Sequence, residues 1–304
     1  MIKPKALNPG DTVGIIAPAG TFSKAAFLRG VEKIRSWGFK VKYHKSIFQQ
    51  DNSFAGSDQR RAKEFNNMFA DAAVKAIFCA KASYGSLRII NFLDRSKIST
   101  HPKIFLGYSD ITVLLTYLNL KANLVVFHGP VVSTEIHAGM PKRTETQLLS
   151  LLTGKKVPLL LSSKFTVLRP GMSKGKVCGG NLTRVINTLG TPFEIDTEDK
   201  IILLEDAGIS LEDLDGMLMQ LKVAGKFSNA KGLIFGKLLN LSGRLIDKNI
   251  LSKLIDDILK EFKIPIIADV ECGHWRVNLP IPLGVDILLE TKKRLLLLVE
   301  KPVT

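Results

Sequence analysis

The chain is predicted to be α/β, with a doubly wound, mostly parallel sheet in its amino-terminal part and a smaller α/β carboxyl domain built on a mixed sheet or barrel. Two observations carry this reading. Short apolar runs alternate with helix-length amphipathic segments through roughly residues 1–150, the order that builds parallel sheets with helices on both faces. The rhythm then breaks between Leu148 and Gly175, where Thr153-Gly-Lys-Lys, Pro158-Leu-Leu-Leu-Ser and Arg169-Pro-Gly-Met follow one another. That break divides the chain into a flavodoxin- or Rossmann-like domain over 1–150, an interdomain linker over 151–174 and a carboxyl domain over 175–304.

Taken in order, Asp11-Thr-Val-Gly-Ile-Ile-Ala-Pro reads as a strand that ends in the loop Ala-Gly-Thr. A helix is expected from Ser23 to Trp37, stopped by Gly38, which accepts a left-handed backbone. Phe39 to His44 alternates as a strand, Asp58 to Phe69 is helical, Val74 to Cys79 is a strand and Ser86 to Leu93 a helix. The strand–turn–helix around Ser109 comes next, then the strand Leu124 to His128. In such sheets function gathers at the carboxyl ends of the strands, so the loops after Ala17, Ala80 and Tyr108 should share one edge. The second half offers a turn and helix at Gly179-Gly-Asn-Leu-Thr, a strand from Lys200 to Glu205 and a helix from Leu211 to Leu221. Strands Gly232 to Phe235 and Ile266 to Val270, with a helix between them, precede a hairpin of Val285–Glu290 with Arg294–Val299.

Composition removes several classes of function. Of 304 residues, 45% are hydrophobic and 23% charged, ordinary for a globular protein. The amino terminus is basic but has no apolar segment behind it, so no secretory signal is expected. No apolar run is long enough to cross a bilayer as a helix, so no membrane partner is expected. Cys79, Cys178 and Cys272 are odd in number, widely spaced and without a CxxC, which fits reduced thiols in the cytoplasm. The formal charge of +15 is the one strong deviation. Lys33, Lys40, Lys42, Lys121, Lys226 and Lys293 scatter that charge along the chain, which argues for a basic solvated surface and against a nucleic-acid partner. His128 and His137 lack the spacing and companions of a metal site. No metal and no cofactor are expected, since the glycines form neither a dinucleotide fingerprint nor a P-loop.

Three polar islands stand out within apolar surroundings. Ser109 sits at the turn of Lys-Ile-Phe-Leu-Gly-Tyr-Ser-Asp-Ile-Thr, where a strand passes abruptly into a helix. Such a turn presents a side chain above the sheet, beside helix amides that can hold an oxyanion. The same serine could instead cap the helix that begins at Asp110. Glu205 closes the run Ile-Ile-Leu-Leu and either faces a cleft or meets solvent as the strand ends. His274 lies in the turn Val-Glu-Cys-Gly-His-Trp-Arg-Val-Asn, where Gly273 permits a tight backbone and Asn278 and Pro280 stiffen the chain beyond it. A serine hydroxyl needs a base, and the base needs an orienting group. Ser109, Glu205 and His274, in that order along the chain, can supply all three.

Together these islands resemble the LD-carboxypeptidase family of serine peptidases, the muramoyltetrapeptide carboxypeptidases. The resemblance spans nearly the whole chain: Leu7-x-Pro-Gly-Asp-x-Val-Gly-Ile-Ile-Ala-Pro-Ala, Gly-Tyr-Ser109-Asp-Ile-Thr, Phe127-His-Gly-Pro, Gly179-Gly-Asn-Leu-Thr with Leu189-Gly-Thr-Pro, Leu204-Glu205-Asp, and Gly273-His274-x-x-x-Asn278-x-x-x-Pro282-x-Gly284. It implies a Ser109–His274–Glu205 triad, with the nucleophile on the amino domain and the other two on the carboxyl domain. The backbone N–H of Asp110 would be one oxyanion donor. The second would come from a loop that usually reads Arg-Gly-Gly-Tyr-Gly and here reads Lys81-Ala82-Ser83-Tyr84-Gly85. The donor at Ser83 then requires that Ala82 and Ser83 adopt angles glycine accepts more readily, and Lys81 lacks the planar fork of arginine. Tyr84, Gly85 and Trp275 are expected to line the substrate site. The resemblance further implies a cytoplasmic homodimer that releases terminal D-alanine from peptidoglycan stem tetrapeptides. Its immunity-peptidase branch, which cleaves peptidyl-nucleotide antibiotics, and a non-catalytic basic binding protein are the alternatives.

Overall fold

The computed structural model describes residues 1–155, 160–162 and 164–304. In the first half, β1 (Thr12–Ile16), α1 (Lys24–Ser36), β2 (Lys40–Lys42), α2 (Asp58–Ala70) and β3 (Val74–Cys79) are followed by α3 (Arg95–Thr100), β4 (Ile104–Gly107), α4 (Thr112–Lys121), β5 (Val126–His128) and α5 (Lys142–Thr153). The second half runs β6 (Leu160–Ser162), β7 (Thr166–Arg169), β8 (Met172–Asn181), α6 (Leu182–Ile186), β9 (Lys200–Ile209), α7 (Leu211–Val223), β10 (Gly232–Asn240), α8 (Lys248–Leu259) and β11 (Ile266–Ala268). It closes with β12 (Ile281–Leu283), β13 (Asp286–Glu290) and β14 (Leu295–Leu298).

The helices begin where the sequence supplies a cap. Ser23, Ser57 and Asp94 each accept a backbone N–H three residues ahead, at the starts of α1, α2 and α3. Gly38 takes a φ of +89° just past α1, as a helix-stopping glycine should. The first sheet has the order β12-β5-β4-β3-β1-β2, parallel throughout except for the antiparallel pair β12–β5. The chain steps from β1 to one side for β2 and to the other for β3, so the sheet is doubly wound, as expected. The loops after β1, β3 and β4 therefore share its carboxyl edge.

The second sheet runs β6-β14-β13-β8-β9-β10-β11-β7, with β8, β9, β10 and β11 parallel and its flanking strands antiparallel. Its two edges, β6 and β7, are consecutive in the chain. The step from Ser162 to Thr166 can span no more than about 14 Å, so the two edges lie close and the sheet curls into a partial barrel.

The stretch 151–174, expected as a linker, contains the last turn of α5, both edge strands of the second sheet and the start of β8. The division is also crossed from the other side. Ile281–Leu283, in the carboxyl half, pairs with Val126–His128 and completes the first sheet, while Thr304 exchanges backbone hydrogen bonds with Pro4 and Ala6. The helix expected from Ser86 to Leu93 is a 3-10 helix over Ser86–Phe92.

Alternation along β9 decides what each face meets. Ile201 and Leu203 belong to the large apolar core shared with the first sheet, whereas Ile202 and Leu204 pack on the core that α7 and α8 cover. By the two-residue period of a strand, Glu205 falls on the face that looks toward the first domain. Helix α4, which follows Ser109, packs against β5, β8 and α6 and is therefore buried almost all round. Val113, Leu114, Leu115 and Leu118 are buried together with Thr112 and Thr116, so the helix has no apolar stripe set against a polar face.

Candidate active site

Ser109 follows β4 at a backbone φ of +59°, a left-handed conformation that a residue with a side chain adopts at a cost. The turn is tight enough that a Cβ on Gly107 would lie 2.7 Å from Ile111 Cγ2, so glycine is needed there. The helix-cap alternative fails: the serine hydroxyl makes no cap bond, and its Oγ lies 2.9 Å from His274 Nε2.

Glu205 does not end its strand. β9 continues to Ile209, and the carboxylate is fully buried. Its direction is set by an irregularity in pairing: Leu204 faces Phe235 but Asp206 faces Leu238, leaving Gly236 and Lys237 opposite Glu205. A bulge of this kind re-aims the side chain beside it. Glu205 Oε2 accepts hydrogen bonds from His274 Nδ1 at 2.8 Å and from the His274 backbone N at 3.1 Å. Gly273, at φ +91°, is held by its N–H on Asn278 Oδ1 at 2.9 Å, which fixes the His274 turn.

This arrangement sets the protonation states. Burial works to neutralise Glu205, but the facing imidazoles of His274 and His128 outweigh it and hold the carboxyl well below its usual range. Burial likewise disfavours charge on His274, while the Glu205 carboxylate wins and raises it above its ordinary value. With Nδ1–H committed to Glu205, Nε2 presents a lone pair to the Ser109 hydroxyl. The site can thus move the serine proton to the imidazole and stabilise the cation that forms.

The other residues expected at the site make the following contacts. The Asp110 carboxylate is buried, accepting the Ser86 N–H at 2.7 Å and pairing with Arg184 Nε at 3.1 Å. Neither Ala82 nor Ser83 has a positive φ; in that loop only Gly85 does, at +132°. The two lost glycines therefore impose no left-handed strain. Room for the serine comes from Gly20, where a Cβ would sit 2.0 Å from Ser83 Oγ. Tyr84 is exposed, 5.9 Å from the Phe54 ring, with the Arg184 guanidinium 5.4 Å above it. Trp275 stands next to His274, with Lys237 Nζ 5.7 Å from its ring.

Several participants were not singled out from sequence. Arg61, wholly buried, donates to the carbonyls of Pro18 at 2.6 Å, Gly85 at 2.9 Å and Gly56 at 3.2 Å, and pairs with Asp58. It thereby ties the Lys81–Gly85 loop to the loop after β1. Asp206 accepts from Asn181 Nδ2 at 2.8 Å and from the Thr183 N–H and hydroxyl at 2.7 and 2.6 Å. The Asn181 N–H donates to Thr112 Oγ1 at 3.0 Å, joining β8 to α4 beside the nucleophile. His128 lies buried beside Glu205. The motifs Gly-Gly-Asn-Leu-Thr and Phe-His-Gly-Pro pointed to two of these places without giving their contacts.

Residues 13–129 match the model of the LD-carboxypeptidase N-terminal domain, and residues 174–289 that of the LD-carboxypeptidase C-terminal domain. The probable murein peptide carboxypeptidase of Bacillus subtilis is 36% identical, over 96% of this chain and 92% of its own. The Microcin C7 self-immunity protein MccF of Escherichia coli is 28% identical, over 93% of this chain and 92% of its own. Among solved structures, an MccF-like protein from Bacillus anthracis has a TM-score of 0.90 at 25% identity, covering 99% of this chain and 100% of that one.

Proposed function

The chain belongs to the LD-carboxypeptidase family and is a serine-type carboxypeptidase, and from that premise we propose that it hydrolyses the L-to-D amide that holds the terminal D-alanine of peptidoglycan stem tetrapeptides. The observation that carries the reading is the line from Ser109 Oγ through His274, 2.9 Å on one side, to Glu205 Oε2, 2.8 Å on the other. The murein peptide named for the Bacillus subtilis relative supplies the substrate class.

In this reading Ser109 Oγ attacks the carbonyl carbon of the diamino acid while His274 Nε2 takes the hydroxyl proton. The tetrahedral oxyanion is held by the backbone N–H groups of Asp110 and Ser83, each worth about 3 kcal/mol at the transition state. His274 then gives its proton to the departing amine of D-alanine, leaving a tripeptidyl ester on Ser109. Water, deprotonated by the same imidazole, releases the tripeptide and restores the serine. Glu205 keeps Nδ1–H oriented and stabilises the imidazolium in both halves. Tyr84, Gly85 and Trp275 line the approach. The enzyme would act in cell-wall recycling in the cytoplasm, as a homodimer. No helix among the described residues is long and apolar enough to cross a membrane.

The test is incubation with L-Ala-γ-D-Glu-meso-diaminopimelate-D-Ala and measurement of free D-alanine, beside Ser109→Ala. Release by the wild type and none by the variant is expected. No release by the wild type rejects the substrate, and equal release by both rejects the nucleophile. One observation favours a second reading, an immunity peptidase acting on peptidyl-nucleotides. Trp275, 38% exposed and next to His274, has the flat face a nucleobase stacks on, with the Lys237 ammonium 5.7 Å from its ring. A higher kcat/KM on a peptidyl-adenylate analogue than on the tetrapeptide would select that reading.

A further inference from the structure

Glu205 has two carboxylate oxygens, and His274 uses only one. Oε2 takes both bonds from His274, whereas Oε1 is buried and forms no hydrogen bond with any described residue. A buried carboxylate oxygen left bare is costly. Facing it at 3.5 Å is Nε2 of His128, itself fully buried, and neither of that ring's nitrogens has a hydrogen-bond partner among the described residues. Two buried polar atoms, Glu205 Oε1 and His128 Nε2, thus face each other unpartnered beside the triad.

His128 is also the rigidly held member of this group. It ends β5, opposite Gly107 of β4 on one side and Ile281 of β12 on the other. Its register partner Gly107 lies two residues before Ser109. The Tyr108 ring lies against both imidazoles, 5.9 Å from His128 and 5.0 Å from His274. Glu205 is therefore approached by one histidine from the sheet of the first domain and by another from a loop of the second.

Resting on the triad reading above, we propose that His128 is a positioning residue that holds Glu205 Oε1 through its Nε2–H, so that Oε2 stays in line with His274 as the imidazolium forms. Only the tautomer with its proton on Nε2 fits, because the opposite one sets two lone pairs against each other. The 3.5 Å separation is that of the resting site, and contacts of this kind tighten as charge develops. A carboxylate held at both oxygens cannot turn about its terminal bond. Held at one, it can swing and take His274 with it.

The test compares His128→Leu, which keeps bulk and removes the donor, with His128→Gln, whose amide N–H can still reach Oε1. D-Alanine release from the tetrapeptide is followed, with binding of the tetrapeptide measured in a Ser109→Ala background. His128→Leu should lower kcat about 10- to 100-fold with KM and binding within about twofold, and His128→Gln should recover most of that loss. The low-field proton resonance of His274 Nδ1–H should shift in His128→Leu and return in His128→Gln. Wild-type kcat in a folded His128→Leu protein overturns the proposal. So does equal loss in both variants with the resonance unmoved, which would mean packing alone. If His128→Leu fails to fold, His128→Gln decides: near wild-type kcat supports the role, and a loss as deep as that of Ser109→Ala rejects it. Cleavage by Ser109→Ala would instead reject the triad itself.

Discussion

Gly273 and Glu205 are fitted to each other: a Cβ added to Gly273 would lie 2.2 Å from Glu205 Oε2, the oxygen that holds His274. The glycine also sits at φ +91°, where a side chain adds strain of about 1–3 kcal/mol. Gly273→Ala must therefore move either the carboxylate or the histidine turn. A shift of about 1 Å in a catalytic group costs on the order of 100-fold in rate. We expect kcat for D-alanine release to fall by at least that factor, with a modest loss in the urea midpoint. An alanine variant of wild-type activity would show that the fit is not required.

The opposed shifts of Glu205 and His274 set the pH dependence. Ser109 is activated by neutral His274, so kcat/KM should rise with pH to a plateau with its midpoint above the ordinary imidazole value of 6.5. Glu205→Gln removes the charge that raises it. The midpoint should then move down while kcat falls by about ten-thousand-fold, as when a triad carboxylate becomes an amide. Stability depends on the same two groups. The Glu205 contribution is complete above 4.5 and fades as pH falls below it; the His274 contribution is complete below 6.5 and fades as pH rises through its raised value. The gap in melting temperature between wild type and Glu205→Gln should be widest between 4.5 and 6.5. A gap constant across pH would reject the coupling.

Legibility in the sequence depended on how local the signal was. The strand–turn–helix at Ser109 and the alternating strands and helices before it are local patterns, and the first sheet was legible from them. The three-residue strand Ile281–Leu283 was not. Its partner Val126–His128 lies some 150 residues away in the chain, and three residues carry no measurable period. The edge strands hidden in 151–174 escaped for the same reason. Glu205 was picked out by its apolar run, yet its strand was cut short, because Asp206 reads as solvent-facing until Asn181 and Thr183 are found to satisfy it. Arg61 was invisible: arginine is almost always exposed, and only the fold brings three loop carbonyls around it.

Arg61 should therefore be more sensitive than its sequence context suggests. Its guanidinium satisfies the carbonyls of Pro18, Gly56 and Gly85 at once. Arg61→Met keeps most of the side-chain volume and leaves those carbonyls without this donor. A loss of about 2–4 kcal/mol in unfolding free energy is expected, measured by urea denaturation. Freed at Gly85, the Lys81–Gly85 loop should also lose its hold on the Ser83 N–H, so kcat should fall further than KM rises. Unchanged stability would mean that the clamp is dispensable.

The same loop gives a prediction of opposite sense to its sequence pattern. Ala82 and Ser83 stand where the family has glycine, which invites the expectation that restoring glycine would relieve strain and raise activity. Neither residue has a positive φ, and the Ser83 hydroxyl fits against Gly20. Glycine at either position would only widen the unfolded ensemble, at a cost of about 0.5–1 kcal/mol per residue. Ala82→Gly and Ser83→Gly should each lower the urea midpoint and leave kcat for D-alanine release no higher than wild type. A rise in kcat of about tenfold in either variant would mean that the oxyanion donor at Ser83 needs a backbone conformation only glycine reaches, and that the loop as folded here is not its catalytic form.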